Sequence, residues 1–401
     1  MSGVADLRAA RVRARVEGIV QGVGFRPYVY RLACEERLGG FVLNDERGVV
    51  VEVDGRADAV RRFLARLPRE SPPLAVVEHV ECARIASTGE REFRIVASVR
   101  QGGADALVAP DAATCAECLA ELRDPLDRRF RYPFANCTNC GPRFTIVRDV
   151  PYDRPATTMA GFTMCPACQA EYDDPGDRRF HAQPNACPAC GPRARLLGPD
   201  GEELALDGAR DAVEAAARRL AAGAVLAVKG IGGYHLACDA GDESAVRALR
   251  ARKRREDRPF ALMARDEPAA GLLVELGEVE RELLAASARP IVLAPRRAGA
   301  RVAGSVAPGV GELGVMLPYA PLHHVLLRDL GELGVDALVL TSGNVSDEPI
   351  AFRDGDARER LAGIADCALV HDRPIETRTD DSLARVVALG GRRRTLLLRR
   401  S

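Results

Sequence analysis

The sequence contains no tryptophan, only five methionines and only two lysines, Lys229 and Lys253. Arginine, at 55 residues, therefore carries nearly all of the basic charge. Aromatic residues make up 4% of the chain, and the formal net charge is zero. A neutral chain with few aromatics lacks both the field and the stacking platforms of a general nucleic-acid binder; only a local basic patch would escape that argument. No apolar run approaches the roughly 20 residues that a membrane span needs. Ala221–Val228 is typical of the longest. The N-terminal stretch MSGVADLRAARVRARV has no apolar core of the kind a signal peptide carries. These absences give the expectation of a cytoplasmic protein without membrane contact, in a reducing compartment. A hydrophobic fraction of 47% and a charged fraction of 28% fit a globular protein and exclude a collagen-like or disordered chain. The 401 residues leave room for roughly two to four domains.

Cysteine is plentiful, with twelve residues, and a reducing compartment calls for an explanation other than disulfides. Eight of the twelve form four C-x-x-C pairs: Cys115/Cys118, Cys137/Cys140, Cys165/Cys168 and Cys187/Cys190. Eighteen residues separate the first pair from the second and the third from the fourth. CAECLAELRDPLDRRF at 115 returns as CPACQAEYDDPGDRRF at 165, and each copy closes on C-x-x-C-G-P-R, at Arg143 and Arg193. Two residues between cysteines let one tight turn aim both thiolates at one ion, and two such turns complete a tetrahedron. Eight ligands make two closed sites, so the expected ions are two structural zincs that supply folding energy to a thin segment. A redox dithiol gives no reason for duplication at matched spacing. Whether each repeat closes on itself or the pairs interleave is open at this level. Cys34, Cys82, Cys238 and Cys367 are scattered and read as buried small hydrophobes.

The first 98 residues read as strand, helix, strand, strand, helix, strand and a final short strand. The strand signals are the alternation in Val12–Gly18 and the β-rich runs Phe41–Leu43, Val49–Val53, Val76–Ile85 and Phe93–Val96. Helical spacing appears in Arg26–Leu38 and Ala57–Leu67, and the 44–48 segment reads as a hairpin turn. This order suggests a ferredoxin-like fold. Between the first strand and the first helix lies Val20-Gln21-Gly22-Val23-Gly24-Phe25-Arg26. Two glycines let backbone N–H groups converge on an anion, the helix N-terminus adds free donors, and a guanidinium at Arg26 can clamp phosphate oxygens. The run G-x-V-Q-G-V-G-F-R, followed by F-V-L-N-D-x-R-G, resembles the acylphosphatase family. That resemblance implies that the loop and Arg26 hold a phosphoryl group and that Asn44 positions the attacking water.

Beyond Pro199-Asp200-Gly201 the pattern becomes α/β, with an Ala-rich helix at Ala212–Ala222 and a helix at Val246–Lys253. Strands are expected at Val225–Val228, Phe260–Met263, Ile291–Ala294 and Leu338–Leu340. Polar clusters follow several of these strands, which suits a binding site on loops at strand ends. Singly, each cluster reads as a solvated helix face or a plain turn. Together, the K-x-R of Lys253 and Arg255 and the S-x-N of Ser342 and Asn344 resemble the YrdC-like nucleotide-binding domain. KGIGGYHLACDA, RPFALM, GVMLPYAPLHH, LTSGN and RPI-x-x-R-x-DDS resemble the version found in hydrogenase-maturation carbamoyltransferases, the HypF family. The resemblance implies triphosphate contacts from Lys253 and Arg255 and nucleotide contacts from Ser342 and Asn344. Lys229, His235, Arg258, Arg289 and Arg378 are further candidates for the wall of that site.

The expected fold class is a multidomain α+β and α/β protein. It comprises a ferredoxin-like acylphosphatase domain over 1–98, a small zinc domain with four-cysteine sites over 105–196 and a YrdC-like α/β domain over 203–395. This order resembles the HypF family from residue 11 to about residue 390. The resemblance implies hydrolysis of carbamoyl phosphate to carbamate, then attack of carbamate on ATP, with Mg²⁺, to give carbamoyl adenylate. It further implies transfer of the carbamoyl group to the C-terminal cysteine of the partner HypE. In the family that last step belongs to a large sugar-kinase-like domain after the YrdC-like one, which these 401 residues do not contain. Two alternatives stand beside this reading. One is a YrdC-superfamily enzyme making threonylcarbamoyl adenylate, which would need neither the acylphosphatase domain nor the zinc repeat. The other is a double-stranded-RNA-binding zinc module using the basic 250–258 segment.

Overall fold

The structure, a computed structural model, describes residues 9–100, 102–103, 105–345, 348–390 and 392–400. The first eight residues of the expected acylphosphatase domain lie outside this set. Contacts divide the chain into two compact units. One runs from the N-terminal side to Asp111 and includes Asn136–Gly191; the other joins Ala112–Ala135 to the chain from Pro192 onward.

The first unit opens with β1 (Ala9–Ile19), α1 (Phe25–Glu35), β2 (Gly39–Asn44), β3 (Val49–Arg56), α2 (Ala57–Arg66), β4 (Val76–Ile85) and β5 (Phe93–Ile95). The strands lie in the order β4-β1-β3-β2-β5. All neighbours are antiparallel except the terminal β2–β5 pair. This is the expected ferredoxin-like arrangement with one strand added beside β2. Alternation places Val12, Ala14 and Val16 of β1 and Val49, Val51 and Val53 of β3 in the core. Ala59, Val60 and Phe63 of α2, followed by Leu67, supply the stripe that packs onto them. Asn44 pairs with Val49 at the hairpin, and Asp45 Oδ1 accepts the N–H groups of Arg47 and Gly48 at 3.0 Å.

Two of the scattered cysteines depart from expectation. Cys238 and Cys367 are buried, but Cys34 and Cys82 are exposed. Cys82 sits on β4, the edge strand of the sheet, and Cys34 near the end of α1 on its outer side. Small apolar character does not reveal which face a residue takes.

The second unit is built on a ten-stranded sheet. Its strands are β6 (Ala194–Leu197), β7 (Leu226–Lys229), β8 (Tyr234–Asp239), β9 (Ala261–Ala264), β10 (Ile291–Pro295), β11 (Glu312–Met316), β12 (Ala337–Ser342), β13 (Cys367–His371), β14 (Leu383–Leu389) and β15 (Arg392–Arg399). The order is β15-β14-β10-β11-β9-β12-β8-β7-β13-β6, a mixed sheet with parallel pairs at β10–β14, β11–β9 and β13–β7. Two apolar clusters fill it out, one holding Leu236, Leu262 and Val339 and the other Leu226, Ala237 and Leu340. Adjacent residues Leu236 and Ala237 fall into different clusters, as expected for a strand buried on both faces. Asp211, Asp242 and Asp266 cap three of the covering helices by accepting N–H groups of the first turn.

Candidate functional site

The Val20–Arg26 loop leaves β1 and enters α1 through two glycines. Gly22 and Gly24 both have φ of 75°, a left-handed conformation that other residues adopt at a cost. Gln21 fixes the loop from below: its Nε2 donates to the carbonyls of Asp45 and Gly48 at 2.7 Å, and its Oε1 accepts the Tyr152 N–H at 2.8 Å. Arg143 fixes it from the other side. Its Nε donates to the Gly22 carbonyl, and its Nη2 donates to the carbonyls of Cys137 and Thr138 at 2.9 and 3.1 Å. The backbone N–H of Arg143 is held by Asp111 Oδ1 at 2.5 Å, and burial pushes that carboxyl upward in pKa.

Beside the loop lies a small cavity of about 20 Å³. Gly22, Gly24, Arg26 and Asn44 line it, so the expected phosphate loop, clamp and water-positioning amide meet in one place. Asn44 is 1% exposed, and among the described residues neither its Nδ2 nor its Oδ1 has a hydrogen-bond partner. A buried amide left open in this way is poised for a ligand or water. Arg26 is already engaged: Nη2 donates to Asp153 Oδ1 at 2.7 Å and Nη1 to Ser98 Oγ at 3.4 Å, while Ser98 also bonds Asp153 Oδ2. His181 lines the same cavity. Burial and the nearby Arg26 charge lower its pKa to about 4, so it is neutral at pH 7. Sequence reasoning does not single out Asp153 or His181. The one trace of His181 lies inside the repeat, where it stands fifty residues after Arg131.

The eight paired cysteines form two groups, Cys115/Cys118/Cys137/Cys140 and Cys165/Cys168/Cys187/Cys190, and within each group the ligand atoms lie within 4.8 Å of one another. Each repeat therefore closes on itself. Four sulfurs about 2.3 Å from a zinc ion lie roughly 3.8 Å apart. The separations are 3.7 Å for Cys165–Cys187, 3.8 Å for Cys187–Cys190, 3.6 Å for Cys168–Cys190 and 3.8 Å for Cys137–Cys140. That edge length fits a tetrahedral ion and is far beyond a sulfur–sulfur bond. The Cys168 N–H and the neighbouring thiols draw Cys165 down to about 6, toward the thiolate that zinc needs. Both copies begin a helix directly after the first cysteine, at Ala116–Arg123 and Pro166–Asp173.

In the second unit, the lysine of K-x-R meets the S-x-N element. Lys253 ends the Glu243–Lys253 helix fully buried, and its Nζ donates to the Ser342 carbonyl at 2.6 Å, the Asn344 carbonyl at 2.7 Å and Asn344 Oδ1. Ser342 Oγ donates to the same Oδ1 at 2.9 Å. Burial and then Arg255 pull Lys253 down to about 7. Three surrounding acceptors match the three hydrogens of an ammonium, so the charged form is the one this loop holds. Arg255 donates to the carbonyls of Arg258 and Pro259 at 3.0 and 2.8 Å and folds the 255–259 turn. His235 lies opposite Ser342 in the β8–β12 ladder, with Nε2 3.4 Å from Asp381 Oδ2. Burial alone would raise Asp381, but its bond to His235 and the neighbouring His235, His323 and Arg399 together outweigh this and hold the carboxyl below its usual range.

The remaining candidates take other positions. Lys229 is buried, with Nζ 2.6 Å from Asp354 Oδ1 and 2.9 Å from the His371 carbonyl. Arg289 donates to the Leu284 carbonyl at 2.6 Å, and Arg258 and Arg378 are exposed.

Three known families match parts of the chain. The acylphosphatase family matches residues 12–95, the HypF finger matches 114–147 and 164–197, and the Sua5/YciO/YrdC family, described as telomere recombination, matches 218–401. Carbamoyltransferase HypF2 of Cupriavidus necator is 48% identical over 395 residues, which is 94% of this chain and 48% of that protein. Carbamoyltransferase HypF of Rhodobacter capsulatus is 53% identical over 375 residues, 93% of this chain and 48% of that protein. A full-length HypF crystallised in its phosphate- and nucleotide-bound form superposes with a TM-score of 0.90 at 42% identity, covering 97% of this chain and 50% of that one.

The chain belongs to the HypF carbamoyltransferase family. It spans about half the length of the HypF proteins it matches. Among the described residues, no helix is long and apolar enough to cross a membrane.

Proposed function

We propose that this chain carries the phosphate-releasing and ATP-consuming steps of a HypF carbamoyltransferase: hydrolysis of carbamoyl phosphate, then formation of carbamoyl adenylate. The observation that carries the first step is the cavity in which Arg26, the glycine loop and the unpartnered Asn44 amide converge. Loop amides and the Arg26 guanidinium stabilise charge on the phosphoryl oxygens, and they do so most where charge builds in the transition state. Asn44 orients water in line with the P–O bond to the leaving carbamate. A carbamate anion is a good enough leaving group that no strong base is needed beside the water.

For the second step the reading rests on the convergence of Lys253 with Ser342 and Asn344, with Arg255 as the second proposed triphosphate contact and Lys229, His235, Arg258, Arg289 and Arg378 as further wall candidates. An oxygen of carbamate attacks the α-phosphorus of ATP, and pyrophosphate leaves. Mg²⁺ with the nucleotide would neutralise phosphate charge there. Zinc in the two cysteine clusters holds the finger segment in shape. We assign residues 1–98, 105–196 and 203–395 as the three functional divisions, the cytoplasm as the compartment, and transfer to HypE to the full-length family architecture.

The test is ATP–pyrophosphate exchange with and without carbamoyl phosphate, run on the wild type, Arg26→Ala and Lys253→Ala. Exchange should require carbamoyl phosphate. Arg26→Ala should lose that exchange and retain nucleotide binding, and Lys253→Ala should lose exchange and retain phosphate release. Exchange driven by threonine and bicarbonate instead would overturn the proposal.

A further inference from the structure

The cavity beside Arg26 is made by two stretches of chain. Its floor, including Gly22, Gly24, Arg26 and Asn44, lies within the 12–95 stretch shared with acylphosphatases. Its roof, including Thr138, Arg143, Tyr152, His181 and Gln183, lies outside that stretch. The roof is therefore an addition to the acylphosphatase site.

A phosphoryl group carries only acceptors at neutral pH, and most polar groups in this cavity suit it. The loop amides and Arg26 are donors. Two open acceptors remain: Asn44 Oδ1, which suits the water proposed above, and a ring nitrogen of His181. Its ring nitrogens have no hydrogen-bond partner among the described residues, and its neutral state leaves one of them an open acceptor. A lone pair beside a phosphoryl oxygen is repelled, so this acceptor has to face another part of the ligand. The acyl end of carbamoyl phosphate offers an amino group with two N–H donors. Acetyl phosphate offers a methyl group of similar size and no donor.

His181 is also held firmly. Its φ is 55°, its N–H donates to the Tyr172 carbonyl at 3.0 Å, and its carbonyl accepts from Gln183 Nε2 at 2.9 Å. The ring meets Phe180 edge-on at 4.6 Å between centroids and Tyr172 at 4.9 Å. The first repeat has the same backbone turn at Arg131, with φ of 58° and an N–H bond to the Leu122 carbonyl at 3.0 Å. There the side chain is taken up by Asp211 and Asp329. The motif thus tolerates quite different side chains at this position, and the turn itself does not require a histidine at 181.

We infer that His181 reads the amino group of the acyl end, selecting carbamoyl phosphate over acyl phosphates that lack an N–H donor. The inference rests on the carbamoyl phosphate hydrolysis proposed above. It is tested by steady-state phosphate release from carbamoyl phosphate and from acetyl phosphate, using the full chain as wild type, His181→Phe and His181→Asn. Asparagine takes the left-handed conformation readily and keeps an acceptor oxygen. Competitive inhibition by inorganic phosphate reports the integrity of the loop in each variant.

His181→Phe should lower kcat/KM for carbamoyl phosphate about tenfold or more, as for loss of a substrate-specific hydrogen bond. Acetyl phosphate should lose less than about threefold, and His181→Asn should recover part of the preference. If the phenylalanine variant binds inorganic phosphate poorly, the asparagine variant and the substrate ratio decide. An equal loss for both substrates, or no change in their ratio in either variant, would overturn the inference alone. A wild type that cleaves neither substrate would overturn the hydrolysis proposal and this inference with it.

Discussion

Arg26 and Asp153 are joined by a hydrogen bond of 2.7 Å, so the guanidinium proposed to clamp phosphate is held by a carboxylate from the stretch between the two finger repeats. The arginine side chain is 9% exposed and the aspartate 29%. The carboxylate orients the guanidinium, and it also competes for it with any incoming anion. Asp153→Ala should therefore tighten competitive inhibition by inorganic phosphate several-fold and lower kcat, because the freed guanidinium binds better and is less well aimed. A weakening of phosphate inhibition in this variant would rule out the competition.

Lys253 donates to three acceptors on the 342–344 loop from a position with no exposure. Lys253→Arg keeps the charge, but a planar fork cannot direct three donors into that cluster and needs more volume. It should reduce exchange at least tenfold and destabilise the second unit by about 2–3 kcal/mol through overpacking and lost hydrogen bonds. The paired measurements are exchange rate and urea midpoint. Full activity at unchanged stability would show that only the charge matters.

Cys187 sits 3.7 Å from Cys165 and 3.8 Å from Cys190. Cys187→Ser leaves three thiolate ligands and should lower the zinc content from two ions to one per chain by atomic absorption. The same cluster braces the segment that carries His181 and Asp153, so phosphate release should fall with the metal. Retention of both ions would mean that the remaining three cysteines suffice.

Buried histidines set the acid limit. Burial and the neighbouring His235 and His324 push His323 down to about 3, and neither of its ring nitrogens has a hydrogen-bond partner among the described residues. His324 also falls to about 3, through burial and then Arg123 and Arg289. In an unfolded chain these rings titrate near 6.5. Between pH 6.5 and 3 the unfolded chain binds protons that the folded chain refuses. Their contribution to stability is thus complete above pH 6.5 and is lost as pH falls through that window. The limiting slope is about 1.4 kcal/mol per pH unit for each fully buried ring. His323→Phe should flatten the decline between pH 6.5 and 4.5 and raise stability at pH 7 by about 1 kcal/mol, since it removes unpartnered polar atoms. Parallel urea-midpoint curves for the two proteins would refute this.

Much of the fold is legible in the sequence because its signals are local. Alternation marks β1 and β3, helical spacing marks α1 and α2, and two glycines before Arg26 mark the loop. The burial expected of Cys34 and Cys82 fails because the outer side of a helix or an edge strand is a property of the whole sheet. Arg255 is a half-buried loop residue that braces its own turn, which no K-x-R spacing reveals.

The sequence alone determined the chemistry of the parts: a glycine loop ending in arginine, eight cysteines at tetrahedral spacing and two lysines in nucleotide-type motifs. These depend on residue type and on separations of a few residues, where chain geometry leaves little freedom. Tertiary structure decided the partnerships. Each finger repeat closes its own cysteine set, Asp153 takes hold of Arg26, and Lys253 is turned onto the 342–344 loop. It also set the neutral state of His181, because desolvation and a neighbouring charge come from residues far along the chain. Contacts between residues 91 or 127 positions apart leave no periodicity to read, and only folding brings their atoms within hydrogen-bond reach.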